Sequence, residues 1–184
     1  MRRSTTLATL FAFALILLHG TFAKAQAAAG YDAWAKCKPG AYAKYKNETD
    51  AGGQKTVMEM TQKLVEVTAD KVVIEVVTSM DMGGQKMDMP AQKIEIPKAG
   101  ATTPNAAPNT NAAAGGATAS TTTEEVTVGG QKVKCTVTTV TSDVGGQKSE
   151  SKVWTSEEVP GGMVKSETKS AQMSATMTLV EFKK

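Results

Sequence analysis

Beyond its first 25 residues the sequence has no arginine and no histidine: Arg2, Arg3 and His19 all fall in that opening stretch. Residues 26–184 therefore lack imidazole, the usual general base and the commonest metal ligand. Excess charge of one sign is missing too. The chain carries 21 basic and 18 acidic residues, but Arg2, Arg3 and Lys24 precede every acid, leaving 18 lysines against 18 carboxylates. A neutral chain lacks the basic field that phosphate backbones require, which excludes a nucleic-acid binder. Leucine is scarce after position 25, with only Leu64 and Leu179 against 17 valines and 3 isoleucines. That β-branched excess disfavours helix and favours strand. The acids Glu124-Glu125 and Glu157-Glu158 are adjacent, so in a strand each pair points to opposite faces and cannot work as acid and base. A P-loop, a dinucleotide fingerprint and a nucleophile constellation are all absent, so the chain reads as non-enzymatic, with no cofactor expected.

What is present begins with an export signal. Arg2 and Arg3 precede the apolar run Leu7 to Leu18, and Ala23-Lys24-Ala25 supplies a small-x-small cleavage site. The run is about 12 residues, short of the roughly 20 that span a bilayer. Residues 1–25 are thus expected to be a cleaved signal peptide, leaving no transmembrane segment and placing the product in the periplasm or outside the cell. Two cysteines, Cys37 and Cys135, enter that oxidising compartment, and a bridge between them is favoured over two buried thiols. Residues 26–184 are read as a single β domain interrupted at 98–122 by an Ala/Thr/Asn/Pro/Gly-rich stretch, expected to be disordered because little in it could anchor a core.

Four copies of one string fix the architecture: Gly52-Gly53-Gln54-Lys55, Gly83-Gly84-Gln85-Lys86, Gly129-Gly130-Gln131-Lys132 and Gly145-Gly146-Gln147-Lys148. Gly-Gly between alternating runs signals a two-residue hairpin turn, because both central positions need positive φ. Counting outward from each turn predicts that Asp50 faces Lys55, Asp81 faces Lys86, and Asp143 faces Lys148. The same count gathers Val126, Val128, Val133, Cys135 and Val137 on one face of the third hairpin. The expected fold is all-β: an antiparallel meander of about nine strands forming an open barrel or strongly curved sheet. The fourth strand is expected at 85–96, the fifth at 123–128, and one short helix at 27–37.

Methionine is the most unusual resource, nine residues after position 25. The predicted register sets Met80, Met82, Met87 and Met89 on one face of the second hairpin, with Met58 and Met60 as a further pair beside Tyr45. Thioethers fill irregular cores, and they also adapt to apolar ligands of varied shape. A third option is Cu(I), for which Met80, Met82, Met87 and Met89 offer soft sulfur. Trp154 is read as a core anchor, or as a residue guarding the mouth of a ligand cavity. The ligand-binding candidates are accordingly Met58, Met60, Met80, Met82, Met87, Met89 and Trp154, facing a lipid or lipidated chain. A structural or surface module without a small ligand is the remaining alternative.

Around Trp154 the segment Trp154-Thr155-Ser156-Glu157-Glu158-Val159-Pro160-Gly161-Gly162-Met163-Val164-Lys165 resembles a group of uncharacterised exported bacterial β proteins. An upstream Lys134-Cys135 strand and the N-terminal Pro39-Gly40-Ala41-Tyr42-Ala43-Lys44-Tyr45 add to the likeness. The architecture is similar to that of the LolA/LolB-type periplasmic lipoprotein carriers. That resemblance implies an unclosed barrel wrapped around a helix and holding acyl chains. The lack of arginine after position 3 departs from it, because those carriers resemble one another in using a buried arginine to control the cavity.

Overall fold

A computed structural model describes residues 30–82, 85–98, 118–144 and 147–184. The expected signal peptide and residues 99–117 of the expected insertion lie outside the described residues. Ten strands form: β1 (Tyr42–Ala51), β2 (Gln54–Val67), β3 (Lys71–Met82), β4 (Gln85–Asp88), β5 (Gln92–Pro97), β6 (Thr118–Val128), β7 (Gln131–Val144), β8 (Gln147–Thr155), β9 (Met163–Ser170) and β10 (Met173–Lys183). They make one antiparallel sheet that does not close, accompanied by one short helix, α1 (Gly30–Ala35). This is the all-β, open architecture that the hairpin repeats predict.

Two of the four Gly-Gly pairs, Gly83-Gly84 and Gly145-Gly146, lie outside the described residues; the other two act as the turn chemistry requires. Gly52 and Gly53 have φ of 60° and 86°, and Gly129 and Gly130 have 55° and 82°, the doubly positive pair of a type I′ turn. Asp50 pairs with Lys55, Asp81 with Lys86 and Asp143 with Lys148, as counted from the turns. The Asp50 carboxylate also accepts a hydrogen bond from the Gly53 N–H at 3.1 Å, so it braces the turn itself.

Two boundaries differ from expectation. The strand expected at 85–96 is broken into β4 and β5, both paired to the same edge of β3. Pro90 is the cause: it has no N–H to give the ladder, and the last bond before it runs from Met89 N–H to the Thr78 carbonyl at 2.9 Å. Strand β6 begins at Thr118 rather than 123, so the tail of the expected insertion is ordered. Thr118 to Thr122 pair with Thr141 to Val137 of the 14-residue β7, which offers these mostly β-branched residues a ready ladder.

Across the sheet the order is β4-β3-β2-β1-β10-β9-β8-β7-β6. The meander thus runs in two arms that meet at the centre, where β1 pairs along its whole length with β10. Tyr45, Leu64, Val72, Ile74, Ile96 and Leu179 are buried at the end of the sheet where β1 starts and β10 finishes. Six residues are too few for α1 to hold itself, and it is held by contacts to both arms. Tyr31 Oη donates to the carbonyls of Thr68 at 2.7 Å and Ala69 at 3.1 Å, in the β2–β3 turn. Trp34, only 1% exposed, lies under Gly161 in the β8–β9 loop, and a Cβ on that glycine would come within 2.9 Å of the indole nitrogen. Lys36 adds an ion pair to Glu157 of the same loop at 2.9 Å.

The expected disulfide is not formed: Cys37 and Cys135 are both free thiols. Each sulfur finds a local acceptor, Cys37 at the Ala33 carbonyl (3.6 Å) and Cys135 at the Val133 carbonyl of its own strand (3.5 Å). Burial pushes both thiols above their ordinary pKa, away from the thiolate that disulfide exchange needs. Tyr31, Trp34 and Lys36 secure the helix in place of the bridge.

Candidate functional site

Residues paired directly across antiparallel strands project to the same face of the sheet, so the ladders sort strand positions into two faces except where the register shifts at Lys44/Tyr45, Leu64/Glu66 and Trp154/Thr155. One unbroken rung starts at Met87, passes through Met80 and Met58 to Asn47, and continues to Met177 and Ser166. It ends through Val153 and Thr138 at Thr121. The neighbouring rung, on the opposite face, reads Asp88, Ser79, Glu59, Lys46, Thr178, Lys165, Trp154, Val137 and Thr122.

The two faces differ sharply in charge. On the methionine face of β1 to β4, β9 and β10, from the Tyr45 rung to the end that carries the Gly52-Gly53 turn, the described positions are Met, Thr, Ser, Asn, Gln, Ala, Leu and Tyr, without one charged side chain. The lysines and carboxylates of the same strands stand on the other face and pair along it. Lys46 meets Glu48 at 2.9 Å and Lys165 meets Glu167 at 2.7 Å, while Lys152 meets Glu150 at 3.5 Å. The Lys165 ammonium holds the Glu167 carboxyl below its usual range, chiefly through that hydrogen bond.

Among the sequence-predicted site residues, Met58, Met80 and Met87 are brought side by side on β2, β3 and β4. Met60 lies one rung along, between Tyr45 and Thr78. Met89 follows β4 and is 38% exposed, while Met87 is 61% exposed. Met82 pairs with Gln85 at the end of the ladder, and its side chain lies outside the described residues. Trp154 is not brought to the methionines. It stands on the opposite face, where its indole N–H donates to Glu124 at 2.8 Å and Lys165 lies 4.9 Å from the ring centre. There it is buried with Val133, Cys135 and Val137, in the same continuous hydrophobic cluster that holds Trp34, Val164, Tyr45 and Leu179.

Two residues of the methionine rung were not anticipated, Asn47 and Met177. Asn47 is set opposite Met58 by the Gly52-Gly53 hairpin, whereas Met177 joins the rung only through the β1–β10 pairing, which no local turn signals. Asn47 Oδ1 is buried there without a hydrogen-bond partner, an unusual state for an amide oxygen. The Tyr45 phenol, one rung away, gives its proton to the Met163 carbonyl at 3.1 Å, and burial holds its pKa well above the ordinary tyrosine range.

Two surface depressions lie elsewhere. One of about 460 Å³ is lined by Thr141, Asp143, Lys148, Glu150 and Lys169, and one of about 520 Å³ by Asp32, Lys36, Lys134, Cys135 and Glu157. Both are open to solvent, and neither reaches the methionines. Among the described residues no group of His, Cys, Asp and Glu is arranged to hold a metal ion, and no helix is long and apolar enough to cross a membrane.

No family model matches the chain, and no curated protein matches it. Among solved structures it is similar to a protein from Bacteroides fragilis, described as exported and as having a YmcC-like fold. That likeness runs at 14% identity and a TM-score of 0.44 over 80% of this chain and 97% of the other. A resemblance that distant transfers neither an activity nor a ligand.

Proposed function

We propose that this is an exported, non-enzymatic binding protein that holds an apolar ligand, a lipid or lipidated chain, against the methionine face. The observation that carries the reading is the absence of charge from that face in strands whose other face is laced with ion pairs. Charge on both faces would suit a sheet with water on either side; an uncharged, half-buried face suits contact with something apolar. Methionine supplies adaptable contact there. The signal-like opening, Arg2 to Ala25, supports export.

Titrating the mature protein with a fluorescent fatty acid tests this. Saturable binding at micromolar ligand is expected. Met58→Lys places a charge on the apolar face and abolishes binding, whereas Glu59→Lys, one residue along on the charged face, leaves it intact. No saturation, or equal loss in the two variants, refutes the assignment.

A further inference from the structure

Met58, Met80 and Met87 form a row of three thioethers on three neighbouring strands, each paired directly with the next. Directly opposed Cβ atoms lie about 5 Å apart, and a methionine sulfur stands two bonds further out on rotatable torsions. The outer sulfurs, on Met58 and Met87, can therefore turn inward over Met80 until all three face one point. Exposure along the row is graded: Met58 and Met80 are half-buried, and Met87, on the sheet margin, is 61% exposed. Core filling does not account for a methionine left largely in water at the end of such a row.

The donor set selects its own ligand. The three sulfurs are neutral and soft, and no carboxylate, ammonium or imidazole stands on that face beside them. Hard cations such as Mg²⁺ and Ca²⁺ need oxygen ligands, and Zn²⁺ prefers thiolate or imidazole. A monovalent soft ion is satisfied by thioethers. We infer that Met58, Met80 and Met87 hold one Cu(I) ion in a three-thioether site. The ligands leave the ion's charge uncancelled, and the exposed side at Met87 leaves it within reach of a competing ligand. Such a site gives its ion up to thiolates and suits transfer better than storage. The inference stands apart from the lipid reading, because it needs only the three sulfurs and not a ligand lying along the sheet.

The test uses mature protein carrying ¹³C-methyl methionine, titrated with Ag(I), a soft monovalent analogue of Cu(I) that does not oxidise. The methyl resonances are assigned by single Met→Leu variants. Those of Met58, Met80 and Met87 are expected to shift together and saturate at one equivalent, while those of Met163 and Met173 stay in place and Zn²⁺ moves none. Affinity is read by anaerobic Cu(I) competition against a chromophoric chelator in a Cys37→Ser background, which removes the more accessible thiol. Met80→Leu and Met87→Leu are each expected to weaken binding by at least about tenfold. Met177→Leu, on the same face but beyond Asn47, leaves it unchanged. Met87 is exposed, so its variant reports on the site without disturbing the fold. Shifts confined to other methionines, an affinity insensitive to both variants, or binding lost with Cys37→Ser overturns the inference.

Discussion

Replacing Gly161 by alanine should loosen the whole domain, because that glycine lets α1 join the two arms of the sheet. The residue sits at φ 76°, and an added Cβ would lie 2.9, 3.0 and 3.1 Å from three atoms of the Trp34 indole. Two penalties combine. A non-glycine residue at positive φ costs about 1 to 2 kcal/mol, and forcing a methyl into packed volume costs about 1 to 3 kcal/mol more. The indole cannot retreat into water, being only 1% exposed. The sum is about 2 to 5 kcal/mol, which in a domain of this size lowers Tm by roughly 5 to 20 °C. Gly52→Ala is the control, since Gly52 has φ 60° but nothing within 4 Å of its added Cβ. It carries the backbone penalty alone. Urea unfolding followed by circular dichroism measures both, and a Gly161→Ala/Trp34→Phe cycle against the single variants isolates the contact. Equal destabilisation by Gly161→Ala and Gly52→Ala, with no coupling to Trp34, would refute the wedge and with it the idea that α1 fastens the arms.

Asn47→Leu removes a buried acceptor that has no donor, so it should raise stability by about 1 kcal/mol in a urea titration rather than lower it. Glu167 has its carboxyl pKa lowered in the folded chain, so its pairing with Lys165 stabilises at neutral pH and is lost as pH falls below about 4.5 through the folded value. The partly exposed pair is worth less than about 1 kcal/mol; Glu167→Gln should therefore reduce stability slightly at pH 7 and not at pH 2, as read by paired melts. Reductant should leave Tm unchanged, since both cysteines are free. A thiol reagent should modify Cys37 at once and Cys135 only on unfolding, and a reductant-sensitive melt would contradict this.

Hairpins were legible in the sequence because their determinants are local. A Gly-Gly pair fixes its own turn, and three aspartates met the lysines counted from those turns. The same locality explains the gathering of Val128, Val133, Cys135 and Val137 into one buried patch. What joins hairpins to each other is not written so near. No turn connects β1 to β10, so nothing in the sequence shows that Met177 shares the rung of Asn47 and Met58. Each hairpin declares which of its residues share a face, yet the match of faces between hairpins depends on distant ladders, and that is why Trp154 falls opposite the methionines. Pro90 is a different case. Its missing donor is visible in the sequence, and it divides β4 from β5 because the ladder on the β3 edge lacks a bond at that point.

The central seam between β1 and β10 also has a consequence in time. Tyr42 cannot meet Lys183 until the last strand exists, so the two arms remain hinged halves while the chain emerges in order. Loop closure over almost the whole domain makes that step slow compared with any hairpin. A polypeptide moved through a membrane N-terminus first would keep its middle unlocked in transit and fasten on the far side, when β10 arrives. Cutting β10 short before Phe182 and Lys183 should therefore act like a missing key, leaving both arms formed and the sheet undone between them.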